Sequence, residues 1–142
     1  TTLWSFATLG TQPGPKLVEI WERRFRSTWA LFCQHHIASI FWSFGRLGLT
    51  PEPSTLRRLI AAFIAVESRV SPQSLTRCLT GFVAFGVQPA EVFMSCWIKQ
   101  FFRKLKHFEL DELIVALDAI IRLRIPLKHS DWRRLSVVVR SF

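Results

Sequence analysis

Apolar residues in the first third of the chain recur at helical steps. Leu17, Trp21, Phe25, Trp29 and Phe32 lie three or four residues apart, which sets them in one stripe and predicts a helix over about Pro15 to Trp29. Ile37, Ile40, Phe41, Phe44 and Leu47 make a second stripe and predict a helix over about Gln34 to Leu47. Gly48 follows it, the residue that most easily takes the left-handed conformation closing a helix. Pro51 stops continuation and is expected in the first turn of the next helix, where a missing N–H is no loss. Further on, Ser71-Pro72-Gln73-Ser74 reads as a cap and first turn.

The same pattern returns at a fixed interval. Leu3 to Gly10 aligns with Phe41 to Gly48, then with Leu79 to Gly86, and more faintly with Leu117 to Arg124, each step being 38 residues without a gap. A proline stands three residues after each of the first three glycines, at Pro13, Pro51 and Pro89, whereas the fourth copy has Arg124 and Leu127. The other half of the unit aligns as well, with Trp21, Leu59, Trp97 and Leu135 equivalent, and Phe25, Phe63, Phe101 and Val139. One helix pair cannot hide its own apolar faces, so pairs must stack. The expectation is an all-α fold, an α-solenoid with a 38-residue period: a partial unit at 1–14, units at about 15–52, 53–90 and 91–128, and a partial unit at 129–142. Its ends are expected to expose Leu3, Phe6 and Leu9 on one side and Trp132, Leu135 and Val139 on the other, and exposed patches of this kind mark contact sites. Neighbouring proteins at both open ends, or a longer parent solenoid, are therefore expected.

Composition narrows the function classes. With 49% hydrophobic residues and 13% aromatic ones, the chain is built to bury surface. Nineteen Lys and Arg against ten Asp and Glu leave +9, which favours a polyanionic partner such as nucleic acid or an anionic membrane surface. The longest apolar run, Leu59 to Val66, is too short to cross a bilayer, and no membrane partner is expected. Cys33, Cys78 and Cys96 match neither a zinc site nor a disulfide framework, and are expected to fill the core. No signal or transit peptide is legible, because the chain opens at Thr1-Thr2-Leu3-Trp4 inside a unit; a targeting segment is expected upstream or removed.

The stretch Ile37-Ala38-Ser39-Ile40-Phe41-Trp42-Ser43-Phe44-Gly45-Arg46-Leu47-Gly48-Leu49-Thr50-Pro51-Glu52-Pro53 resembles the octotricopeptide repeat family. That family's unit of about 38 residues pairs two helices, the second ending in Leu-Gly before prolines. Leu3 to Pro15 matches almost as well; Leu79 to Pro89 has lost the tryptophan, and Leu117 onward has also lost the glycine and the proline register. The resemblance implies an RNA-binding protein of organellar gene expression, with ribosomal RNA of a mitochondrial ribosome as first expectation. A plastid location and a transcript-specific maturation or translation factor are the variants it also allows.

In solenoids that hold single strands, a few variable side chains per unit meet bases or phosphates. On the first helix of each unit, one such face carries Glu19, Arg57, Ser95 and Arg133, then Arg23, Ala61, Lys99 and Val137, then Ser27, Ala65, Arg103 and Ser141. Arg24, Arg26, Arg58, Lys104, Lys106 and Arg134 adjoin it, and Trp97 to Phe108 holds Lys99, Arg103, Lys104 and Lys106 with no acid, the strongest phosphate site. On the second helix, His35, Gln73 and Asp111 share one position and Ser39, Arg77 and Val115 the next, so hydrogen-bonding groups alternate where base readers could stand. The candidate RNA contacts are thus Arg23, Arg24, Arg57, Arg58, Lys99, Arg103, Lys104, Lys106, Arg133 and Arg134, with His35, Gln73 and Arg77 as a second group. Trp42 lies near that second group, where packing competes with base stacking as its role.

Catalysis has little to build on. His35-His36 sits beside Cys33, but no second ligand cluster, phosphate-binding glycine loop or partnered carboxylate pair accompanies it, so no enzyme, metal or cofactor is expected. Asp111 and Glu112 open a helix, where acids suit the dipole. The alternative to RNA is a protein scaffold gripping a peptide or a neighbouring subunit. A continuous basic groove would favour RNA, and a neutral aromatic groove would favour protein.

Overall fold

The computed structural model describes residues 2–142, so Thr1, where the first partial unit was expected to begin, lies outside the described residues. Among the described residues the chain is all-helical, with no strand: α1 (Thr2–Leu9), α2 (Pro15–Thr28), α3 (Gln34–Leu47), α4 (Pro53–Ala65), α5 (Pro72–Phe85), α6 (Glu91–Arg103), α7 (Leu110–Arg122) and α8 (His129–Arg140). Short 3-10 turns at Trp29–Leu31, Glu67–Arg69 and Leu105–His107 follow α2, α4 and α6.

The helix ends follow from local chemistry. Gly48 closes α3 in the left-handed region at φ 67°, and its N–H and that of Leu49 bond back to Gly45 and Phe44. Gly10 and Gly86 close α1 and α5 with nearly the same φ, and Arg124 takes the left-handed position after α7 at φ 53°. Ser71 caps α5, its hydroxyl accepting from the Ser74 N–H at 3.2 Å. Pro51 does not enter a helix: it is buried in the link between Gly48 and α4, and Pro53 takes the first helical position, as Pro15 does in α2. The left-handed glycine needs a few residues to turn the chain around before a new axis can start, and Pro51 stands in that turn.

The helices form two layers. The odd-numbered helices α1, α3, α5 and α7 lie side by side in sequence order, and α2, α4 and α6 follow one another more loosely in a second layer. Small residues allow the close approach of the odd layer. A methyl group added at Gly81 would stand 3.0 Å from the Phe41 Cβ and 3.1 Å from its carbonyl oxygen, and one at Gly45 would stand 3.1 Å from Ala84. Between the layers runs an aromatic core: Phe41 and Phe82 at 5.3 Å, Phe82 and Phe93 at 4.8 Å, Phe63 and Phe93 at 4.8 Å. Such ring pairs contribute about 0.5–1.5 kcal/mol each beyond the area they bury.

Polar side chains tie neighbouring helix pairs together. The Gln12 amide donates to the Leu47 carbonyl at 2.7 Å and the Gln88 amide to the Leu123 carbonyl at 2.9 Å, so each satisfies an orphan carbonyl at the end of the next odd helix. Glu22, only 3% exposed, accepts the Glu52 N–H at the start of α4. Burial raises its carboxyl above the usual range, against the lowering effect of that bond.

The expected exposure of the two ends needs correction. Leu3 and Leu135 are buried and Phe6 is half-buried, because each turns toward the preceding or following helix and joins the core. Leu9, Trp132 and Val139 are exposed as expected, and Trp4 and Val137 join them. No helix among the described residues is long and apolar enough to cross a membrane.

Candidate nucleic-acid interface

Charge is divided unequally between the layers. Helices α2, α4, α6 and α8 carry eleven Lys and Arg (Lys16, Arg23, Arg24, Arg26, Arg57, Arg58, Lys99, Arg103, Arg133, Arg134 and Arg140) against four acids, whereas the odd helices carry three against three. Arg69, Lys104 and Lys106 follow the even helices directly, with Glu67 the one acid among them. The excess positive charge of the chain therefore lies on the even layer and its 3-10 turns.

Within that layer the expected phosphate contacts fall into two groups. Arg24, Arg57, Arg103, Lys106 and Arg133 are exposed, and their side chains make no hydrogen bond or ion pair among the described residues. The others are engaged. Arg23 pairs with Glu19 at 3.3 Å on the same helix, an exposed pair that holds it weakly. Arg58 donates to the Ser54 carbonyl at 3.3 Å. Lys99 pairs with Glu67 at 3.1 Å, and the Cys96 thiol donates to the other oxygen of the same carboxylate. The thiol and the lysine hold Glu67 below its usual range, while burial and the carboxylate push Cys96 up to about 12. Lys104 reaches back to donate to the Ser68 carbonyl at 3.1 Å and to that of Val70, and its partial burial lowers its pKa. In the segment expected to be the strongest phosphate site, two of the four cations are thus engaged by other groups of the chain, Lys99 at the surface and Lys104 partly buried.

Arg134 lies over the Phe102 ring at 4.6 Å from its centroid. With Lys106, Leu105, Val137 and Val138 these residues line a furrow of about 250 Å³ between α6 and α8, which carries two cations and no acid. Arg133 stands one residue away, outside the furrow lining.

The second group of candidates sits on the odd layer. His35 and Gln73 are exposed near the starts of α3 and α5, and His35 contacts Gln34 at 2.9 Å. Arg77 lies 5.9 Å from the centroid of the Trp42 ring across the α3–α5 contact, so two candidate readers are paired with each other. Cys78 and Cys96 are buried as expected of core thiols, but Cys33 is exposed, with its sulfur 3.5 Å from His36 Nδ1. The helix that would cover Cys33 begins only at Gln34, leaving the residue in the open link. Among the described residues no group of His, Cys, Asp and Glu could hold a metal ion.

Sequence reasoning passed over a cavity of about 360 Å³ between α1, α2 and α3, lined by Leu3, Trp4, Trp21, Phe32, His36, Ser39, Ile40 and Ser43. Trp21 and Trp97 are equivalent in the alignment, and among the described residues only Trp97 of the two finds a hydrogen-bond partner, the Leu75 carbonyl at 2.8 Å.

Searches against family models, curated proteins and solved structures find no match to this chain. The octotricopeptide resemblance therefore rests on the residues quoted for it.

Proposed function

We propose that this chain is an RNA-holding α-solenoid of 38-residue helix pairs whose even layer contacts the phosphate backbone. In support of the repeat, α2, α4, α6 and α8 start at Pro15, Pro53, Glu91 and His129, and α3, α5 and α7 start at Gln34, Pro72 and Leu110, in both cases 38 residues apart. The observation that carries the RNA reading is the confinement of the excess charge to one layer. The even layer is also the more loosely packed one, and the polyanion lies across it with its phosphates on Arg24, Arg57, Arg103, Lys106 and Arg133. The family resemblance makes ribosomal RNA of a mitochondrial ribosome the first target to test. No catalytic step enters this reading.

The test is binding of a labelled single-stranded RNA at several salt concentrations. Each neutralised phosphate contributes about −0.7 to the slope of log K against log salt for a single strand, so Arg57→Gln, Arg103→Gln and Arg133→Gln together should flatten the slope by about 2 and weaken binding. Arg46→Gln with Arg122→Gln, on the odd layer, should leave the slope unchanged. An unchanged slope in the triple variant, or no binding by the wild-type chain, sinks the proposal.

A further inference from the structure

The furrow between α6 and α8 has counterparts one and two units earlier, and it differs from both. One unit earlier, Ile64, Glu67, Cys96 and Lys99 stand where Phe102, Leu105, Arg134 and Val137 line the furrow, and there the carboxylate takes both the thiol and the lysine. Two units earlier, Arg58 holds the position of Arg134, but it donates to the Ser54 carbonyl, and Arg26 rather than an aromatic ring holds that of Phe102. Between α6 and α8, buried Phe102 and Leu105 form an apolar floor, and Lys106 and Arg134 are exposed with no hydrogen bond or ion pair among the described residues. Such a face stays open inside the stack. The counterpart between α4 and α6 is followed by α7 and α8 and still leaves the Glu67 and Lys99 side chains 26% and 49% exposed.

The size and chemistry of the furrow select its occupant. At about 250 Å³ it lies below the range of about 300–1,000 Å³ usual for drug-sized ligands, so it takes one small group and not a helix. A guanidinium is planar and stacks through its faces while its N–H groups point outward in its plane. One face of Arg134 lies on the Phe102 ring, 4.6 Å from its centroid, and the side chain is exposed, so the other face is free for a second flat group. A carboxylate would use only the N–H edge. A nucleobase uses the free face and arrives joined to an anion. Arg103 and Arg133, exposed and next in sequence to Phe102 and Arg134, continue the positive charge past the furrow, which suits a strand of phosphates better than a single acid.

We propose that the furrow seats one unstacked base of a single RNA strand. The base lies on the free face of the Arg134 guanidinium, completing a stack of ring, guanidinium and base, and the phosphate beside it pairs with Lys106. This rests on the RNA reading of the even layer and adds to it one place where a base, and not only the backbone, is held.

The test uses the full chain, a labelled oligouridine, and an abasic analogue with the same sugar-phosphate chain and no bases. We expect the chain to bind oligouridine at least fivefold more tightly than the abasic strand, the lower bound for one stacked base. Arg134→Lys keeps the charge and loses the flat face, so it should bring that ratio close to one while the salt dependence of binding is kept. Lys106→Gln should instead keep the ratio and flatten the slope of log K against log salt by about 0.7. Equal binding of the two strands by the wild-type chain, or a ratio that survives Arg134→Lys, overturns the proposal and leaves the RNA reading standing; binding of neither strand overturns both. An alternating aspartate–leucine peptide that binds the wild-type chain, loses its affinity in Arg134→Lys and displaces no RNA would assign the furrow to an acidic protein segment, and would also overturn the proposal.

Discussion

Arg124 offers a sharp test of how the helix pairs are closed. Three glycines take the left-handed position after α1, α3 and α5, and Arg124 takes it after α7 at φ 53°. The same backbone bonds form there, Arg124 N–H to Ile121 and Ile125 N–H to Ile120, both at 3.1 Å, so the turn is imposed by the packing that follows rather than by the residue. A side chain with a Cβ in that region costs about 1–2 kcal/mol. Replacing it by glycine removes that cost but adds about 0.5–1 kcal/mol of unfolded-state entropy. Arg124→Gly should therefore stabilise the chain by about 0.5–1 kcal/mol, a rise of about 2–3 °C in Tm for a chain of this size. Arg124→Ala removes the charge and keeps the Cβ, so it should bring no comparable gain. The reverse substitution isolates the backbone term: nothing lies within 4 Å of a methyl group added at Gly48, so Gly48→Ala should cost about 1 kcal/mol through φ alone. Urea unfolding reads all three, as a displaced midpoint with an unchanged slope. If Arg124→Ala and Arg124→Gly stabilise equally, charge and not conformation governs the site, and the reasoning fails.

Two further predictions concern the links between helices. Glu22 has a folded pKa above its unfolded one, so the stability it contributes is full below the unfolded value of about 4.3 and is lost as pH rises through the folded value. Glu22→Gln keeps an acceptor for the Glu52 N–H, so it should be more stable than wild type at pH 7 and should match it below about pH 4 in paired thermal melts. At the α3–α5 contact, Gly81→Ala drives a methyl group into the Phe41 backbone and should cost about 1–3 kcal/mol despite alanine's better helix propensity. Gly45→Ala meets the exposed Ala84 methyl group at 3.1 Å and the Gly81 Cα at an ordinary 3.6 Å and should cost less; equal losses in urea would show that the odd layer is not held at that spacing by Gly81.

What the sequence revealed of the fold was whatever repeats locally. The stripe from Ile37 to Leu47 located α3, and Ser71 and Gly48 marked caps, because a helix end is decided by the few residues around it. Pro51 was misread because two prolines two residues apart both suit a helix start, and the alignment favours the one that recurs after each glycine, whereas the backbone uses Pro53. The candidate interface was legible only as a helix set. Net charge showed that the first helix of each unit is basic, but the fate of each cation depends on groups far away in sequence. Lys99 meets Glu67, and Lys104 meets the carbonyls of Ser68 and Val70, each more than thirty residues back. Gln12 and Gln88 could have been found, since they stand two units apart at the same repeat position, but a lone polar residue in a loop has no periodic stripe to give it away.

The two layers differ in spacing for a reason that bears on the RNA proposal. Where α3 meets α5, glycine and alanine let backbone approach side chain directly, so a ligand would have to push helices apart to enter the odd layer. The even helices approach one another less closely, and between α6 and α8 the Arg134 guanidinium lies over the Phe102 ring. Spacing of that kind leaves furrows, and the one between α6 and α8 is open with cations at its rim. Where the equivalent furrow between α4 and α6 is closed, it is closed by a charge pair, Glu67 with Lys99, and by the Cys96 thiol. An anion approaching the even layer therefore meets an open furrow at one step and a satisfied one at the step before, so phosphate contacts should concentrate toward α6 and α8.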